Sequence, residues 1–165
     1  MKDRNLKVND DWKTPQDLYD SLDKEFHFDF DPCPYMHDTN LWNGLEVDWG
    51  KSNFVNPPYS RKLKEEFIRK AYLEYLKNKT VVMLLPVSTS TKIFHEIISP
   101  NCEIRFLRGR VKFEGINSFG EVVLNKCGMS DSMICIFKPK NISQCSINNP
   151  ETNGFDKISK NISPT

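Results

Sequence analysis

Val81-Val82-Met83-Leu84-Leu85-Pro86 is the stretch that decides the fold class. An apolar run without alternation, ended by a proline, describes a strand buried on both faces, which requires a layer on either side of its sheet. Upstream, Leu63, Phe67, Ile68, Ala71, Tyr72, Tyr75 and Leu76 recur at helical spacing. Glu65/Arg69 and Glu66/Lys70 stand four apart on the wet side of that helix. Before it, the short apolar run Phe54-Val55 closes into the turn Asn56-Pro57-Pro58-Tyr59. Downstream, Ser88-Thr89-Ser90 offers a cap for a helix carrying Ile93, Phe94, Ile97 and Ile98, stopped by Pro100. Ile104 and Phe106 mark a further strand, and Met133 to Phe137 a last one. Strands alternating with helices of this length predict an α/β fold on a parallel-rich sheet covered on both sides.

The N-terminal part reads similarly. Thr14 before Pro15 predicts a helix start, a capping hydroxyl followed by proline at the first helical position. Leu18, Tyr19, Leu22 and Phe26 then share one helical face. Phe28 and Phe30 alternate with Asp29 and Asp31, a short strand that stops at Pro32. Residues 33–51 are irregular, and Glu121 to Ser130 reads as an added hairpin or loop. Residues 1–140 are expected to form a single domain, with 141–165 a polar, mobile tail.

The chain's 165 residues suffice for one continuous core. A formal net charge of +1 excludes bulk basic character, so nucleic-acid binding must rest on a local patch. No apolar run approaches the roughly 20 residues that cross a bilayer, and Met1-Lys2-Asp3-Arg4-Asn5 lacks a secretory apolar core. Cys33, Cys102, Cys127, Cys135 and Cys145 are scattered and odd in number, as expected of reduced thiols in the cytoplasm. Cys33, His37 and Asp38 form one short cluster without a second half, so no metal is expected.

In α/β sheets ligands gather at the carboxyl ends of the strands. Asp31 and Asn56 both stand at such ends, each beside a proline. An amide, two imides and an aromatic ring in succession can hold a planar amino group. The Asn56 side-chain oxygen accepts one N–H, and the Pro57 carbonyl the other. The prolines fix the turn, and Tyr59 offers a face on which a base taken from a duplex can stack. Two acceptors on one exocyclic amine draw it toward tetrahedral geometry and free its lone pair for an electrophilic methyl group. A second feature is the run containing Arg105, Arg108, Arg110 and Lys112, interleaved with Phe106 and Phe113. It is either a phosphate-binding strand and loop or a solvated charged face; Lys51, Arg61 and Lys62 flank the Asn-Pro-Pro-Tyr turn as an alternative.

Several stretches together resemble one family. They are Trp12-Lys13-Thr14-Pro15, Asp29-Phe30-Asp31-Pro32-Cys33, Asp48-Trp49, Asn56-Pro57-Pro58-Tyr59-Ser60, Val81 to Pro86, Phe94-His95, Glu103 to Phe113 and Ser132-Met133. In this order they resemble the phage-type DNA N6-adenine methyltransferases over roughly Trp12 to Pro139. The resemblance implies an abbreviated Rossmann-like fold and S-adenosylmethionine as methyl donor. The acceptor it implies is the N6 amine of a flipped adenine in double-stranded DNA. It gives Asn56, Pro57, Pro58 and Tyr59 the catalytic role. Trp12, Thr14, Pro15, Asp31, Cys33, Asp48 and Asn56 would contact the cofactor, and Arg108, Arg110 and Lys112 the DNA.

A carboxylate such as Asp31 suits the cofactor's ammonium and sulfonium charges; it equally suits an Asx-turn before Pro32. Trp12 either walls the pocket or staples the first helix, and Trp49 either stacks on the adenosine or fills the core. Only a short irregular stretch separates Asp31 from Asn56, less than a full βαβ unit. The ribose partner is therefore not assigned. RNA adenine or protein glutamine as acceptor, and a catalytically idle DNA-binding remnant, are the competing readings.

Overall fold

The computed structural model describes residues 12–38, 40–116 and 121–139; the tail at 141–165 lies outside them. Strands β1 (Trp12–Lys13), β2 (Ser52–Val55), β3 (Thr80–Pro86), β4 (Glu103–Phe106), β5 (Lys112–Ile116), β6 (Val122–Cys127) and β7 (Ser132–Phe137) form two sheets. The larger has the order β2-β3-β7-β4, the smaller β1-β5-β6. Helix α1 (Gln16–Phe26) and helix α2 (Arg61–Leu76) flank the larger sheet, and a helical segment through Phe94–Ile98 runs into α3 (Ser99–Asn101).

The apolar run is the central strand expected of it. Val81, Met83 and Leu85 join Met133, Cys135 and Phe137 in the core beneath α2. Val82 and Leu84 join Ile134 and Ile136 in a second core with Leu22, Phe26 and Phe113. Every one of these β3 side chains is at most 1% exposed, so the alternation of strand side chains has filled both faces.

The sheet is mixed rather than simply parallel-rich. β2 runs parallel to β3, but β7 lies antiparallel to both β3 and β4. The β5–β6 hairpin returns the chain to the Pro86 end of β3, where Val87 N–H donates to Asp131 O at 2.8 Å and β7 starts opposite Pro86. From that end only an antiparallel path is open.

Several local expectations are corrected. Phe28 to Asp31 is no strand but a single parallel bridge, Phe30 to Asn53, because the Asp29 carboxylate takes the N–H groups of Lys51 and Ser52. Thr14 does not cap α1; Pro15 occupies that position, where a pyrrolidine has no side-chain acceptor to give. Trp12 does not staple the first helix; it is a strand residue opposite Gly115. Thr91, rather than the serines before it, closes the turn ahead of the third helical segment, its hydroxyl donating to Ser88 O at 2.8 Å. That segment widens into a π turn at Phe94–Ile98 and extends through Pro100 to Asn101. Pro100 brings no N–H and a ring that crowds the preceding turn, and a wider turn relieves it. Phe106 closes β4 as expected, but it is 64% exposed and stands outside the core.

On α2 the ion pairs sit one turn from their expected places: Arg61–Glu65, Lys62–Glu66 and Lys70–Glu74. For Lys70 the cause is Glu74, which is fully buried and takes hydrogen bonds from Lys77 and Lys79 as well as the ion pair with Lys70. Lys79 also donates to Trp49 O, tying α2 to the segment that enters β2. Burial opposes ionisation of Glu74, but hydrogen bonds from Lys79, Lys70 and Lys77 outweigh it and hold its pKa at about 2. A depressed carboxyl pKa stabilises the fold fully above its ordinary 4.5 and is lost as pH falls towards 2. Glu74→Gln should therefore flatten the fall in melting temperature over that acid range. It should also lower stability near neutrality by roughly 3–5 kcal/mol, the range for breaking a buried pair. An unchanged acid profile contradicts this.

Candidate active site

Strand β2 delivers Asn56 to the rim of the larger sheet, and Pro57-Pro58 turns the chain there before α2 begins at Arg61. Two contacts hold Asn56. Its Nδ2 donates to Trp12 O at 2.8 Å, across 44 residues of sequence, and its own carbonyl accepts from the Cys33 thiol at 3.3 Å. With Nδ2 committed to β1, Oδ1 is the part of the amide left for a substrate donor. Pro57 is buried, which fixes the following carbonyl in place.

Two clefts adjoin at this rim, and Trp12 lines both. The smaller, about 170 Å³, holds Thr14, Tyr19, Asp31, Cys33, Tyr35 and Asn56. Asp31 accepts the Cys33 backbone N–H at 2.9 Å, an Asx-turn into the Pro32 bend. It nevertheless lines the cleft, so turn-maker and ligand group are compatible roles. Burial raises its pKa to about 6, against the pull of the Cys33 hydrogen bond and the nearby His37. A cation entering the cleft would restore the ionised form.

The larger cleft, about 430 Å³, is lined by Trp12, Tyr59, Lys64, Phe113, Lys126 and Met129 among others. Tyr59 stands edge-on to Phe113, ring centroids 5.9 Å apart at 89°, and its hydroxyl donates to Leu84 O at 3.4 Å. Burial, with the neighbouring Cys33, raises the phenol pKa beyond its ordinary value, so it stays protonated. Lys126 of β6 lies 4.3 Å above the Trp12 ring, a cation–π contact between the small sheet's two outer strands.

The structure thus brings together Trp12, Thr14, Asp31, Cys33, Asn56 and Tyr59. Pro15 adjoins them as the cap residue of α1. Asp48 is not among them: it is 77% exposed and pairs with Lys77 at 2.8 Å, at the other end of β2 and α2. Its neighbour Trp49 is core, stacked on Phe67 with its indole N–H on Gly44 O. Neither Arg108, Arg110 nor Lys112 lines either cleft. Lys112 precedes the cleft residue Phe113 and by strand alternation faces the opposite side, while Arg110 lies 3.9 Å from Asp131. Arg105 is taken by Glu25, with bonds of 2.6 and 2.8 Å, and by Glu103.

Sequence reading missed Tyr19, Tyr35 and Lys126. Tyr19 shares the apolar face of α1 with Leu18 and Leu22, so nothing in the spacing separates a cleft residue from a core one. Lys126 stands in an exposed strand whose pairing with β5 is a long-range fact.

The chain matches the model of the DNA N-6-adenine-methyltransferase (Dam) family over residues 3–158. It is 33% identical over 154 residues to the DNA N-6-adenine-methyltransferase of Haemophilus phage HP1 (strain HP1c1), covering 85% of this chain and 86% of that protein. It is also 33% identical over 110 residues to the DNA N-6-adenine-methyltransferase of Escherichia phage T1, covering 59% of this chain and 44% of the relative. No solved structure matches it. No helix among the described residues is long and apolar enough to cross a membrane. With a match spanning nearly its whole length, the chain belongs to the DNA N-6-adenine-methyltransferase (Dam) family.

Proposed function

We propose that the chain methylates the N6 amine of adenine in double-stranded DNA, with S-adenosylmethionine as donor, at the two adjoining clefts of a Rossmann-like sheet. The observation that carries this is Asn56, held by its amide nitrogen to β1 so that its oxygen faces a substrate donor. The smaller cleft fits the cofactor's charge: a buried carboxylate with a raised pKa is one that a cation stabilises. Its volume lies below the roughly 300–1,000 Å³ of sites enclosing a whole ligand, so it takes the charged end and leaves the rest at an open rim. Asp31 would face that charge, with Trp12, Thr14 and Tyr19 as walls. When bound, the cofactor supplies an electrophilic methyl group.

The chain's own residues then act on the base. Tyr59 and Phe113 floor the larger cleft, where a flipped adenine stacks out of water. Asn56 Oδ1 and the Pro57 carbonyl accept the two amine protons and draw the nitrogen toward tetrahedral geometry. These bonds strengthen as positive charge develops on the nitrogen, so they favour the transition state over the ground state. Trp12 lines both clefts, so the amine in one and the methyl group presented from the other would meet beside its ring.

The test is nucleoside analysis of unmethylated duplex DNA after incubation with the chain and S-adenosylmethionine. N6-methyldeoxyadenosine is expected; methylation at another base position contradicts the reading. Tyr59 gives a finer check. Tyr59→Phe keeps the ring and loses one long hydrogen bond, so activity should stay within a few-fold. Tyr59→Ala should weaken base binding by about 1–3 kcal/mol, the worth of one stack. Equal damage from both would make the hydroxyl the working group.

A further inference from the structure

A third cavity, a groove of about 530 Å³, opens between α2 and the segment that follows β3. Four cations line it, Arg61, Lys64, Arg69 and Lys92, with Glu65 as the single carboxylate, and Ser88 and Ser90 add hydroxyls. Glu65 is already engaged by Arg61 at 3.4 Å, and Lys92 pairs loosely with Glu96 at 3.5 Å. Among the described residues no ion pair uses Lys64 or Arg69, although each stands on a helix whose other basic side chains are paired. The first turn of α2 carries no acid, so the positive end of a 16-residue helix adds to the same field. Lys64, Pro86 and Ser88 line both this groove and the cleft that holds Tyr59, so the two are continuous.

We infer that this groove binds the phosphodiester backbone of the DNA strand beside the flipped adenosine, with Lys64 and Arg69 as its principal phosphate contacts. The inference rests on the reading of the chain as a DNA adenine methyltransferase and moves the backbone contact away from Arg108, Arg110 and Lys112. Those three lie outside the clefts, whereas the groove begins where the base would leave its strand. Unpaired cations beside hydroxyl groups suit phosphate oxygens, which take charge-assisted bonds without reading sequence. A nucleotide extruded into the Tyr59 cleft draws its own phosphates to the mouth of that cleft. Lys64 stands there.

The experiment is duplex binding by the full chain across a salt series, for the parent, Lys64→Ala/Arg69→Ala, Lys64→Arg/Arg69→Lys and Arg108→Ala/Arg110→Ala/Lys112→Ala. Each phosphate contact contributes about 0.9 to the slope of log K against log salt. Losing two should therefore shrink the affinity change between 50 and 200 mM salt by about tenfold. The alanine double variant is expected to show that loss equally on unrelated duplexes, with cofactor affinity retained as the sign of an intact fold. The charge-conserving double variant should keep the parental slope. A parental slope in the alanine variant, or a flattened slope only in the arginine-lysine triple, overturns the groove. Transfer of methyl by the parent to RNA or protein instead of DNA overturns the functional reading itself, independently of the slopes.

Discussion

Asn56→Ala is expected to reduce methyl transfer by at least about a hundredfold while leaving cofactor affinity within a few-fold. The side chain lies at the rim with its Nδ2 bonded to Trp12 O, and only its oxygen remains to meet an amine. An acceptor that strengthens as the reacting nitrogen turns tetrahedral acts on turnover rather than on ground-state binding. Removing one such preorganised group costs roughly 10²–10³ in rate elsewhere. Asn56→Asp is the sharper partner: it keeps an acceptor oxygen but loses the donor to Trp12, and so should be impaired for want of positioning. Single-turnover rates at saturating DNA and cofactor separate the two variants. A turnover within tenfold of the parent for Asn56→Ala would remove Asn56 from the chemistry.

The second large effect belongs to Asp31. Asp31→Asn should weaken S-adenosylmethionine binding by about thirtyfold or more, the lower end of the 2–5 kcal/mol for truncating one partner of a buried charge pair. Duplex affinity should be unaffected, since Asp31 lines only the smaller cleft. The pH dependence fixes the sign. Its carboxyl has a pKa of about 6, raised by burial, and only the ionised form attracts a cation. Cofactor affinity should thus be constant well above pH 6 and fall about tenfold per unit below it, while the Asn variant shows no such fall. The free protein has the opposite trend: a raised carboxyl pKa favours the folded state at low pH, and that advantage is lost as pH rises through about 6. Calorimetry with the cofactor across pH 5 to 8 is the check. A parental pH profile in Asp31→Asn would return the residue to its turn alone.

These effects attach to residues that were legible for different reasons. The β3 run announced itself because both faces are buried, and a continuous apolar stretch is what that burial looks like in sequence. Asn56 and Tyr59 were legible because two prolines after a strand are a local event. Asp31 was legible for the same reason, its Asx-turn and its place in the cleft both arising within three residues of Pro32. Long-range pairings left no such mark. Trp12 pairs with β5 across about a hundred residues, and nothing near Trp12 announces it. The reversal of β7 depends on where the β5–β6 hairpin returns the chain. Asp48, adjacent to a tryptophan, read as a ligand group, yet its place is set by Lys77 and Lys79 at the far end of α2. The basic run raises a related question: charge density in sequence does not say which strand face it occupies, and Arg108, Arg110 and Lys112 stand outside both clefts. Lys64 drew no notice and Arg69 read only as a routine partner of Glu65, yet the pairs that form on α2 leave both out.

One transfer assay tests the central claim most directly. S-adenosylmethionine labelled in its methyl group is offered with duplex DNA, RNA and protein in parallel, to the parent and to Asn56→Ala. Label entering DNA alone, recovered as N6-methyldeoxyadenosine and lost in Asn56→Ala, is the result this account predicts. Label entering RNA or protein, or entering DNA undiminished with Asn56→Ala, would contradict it.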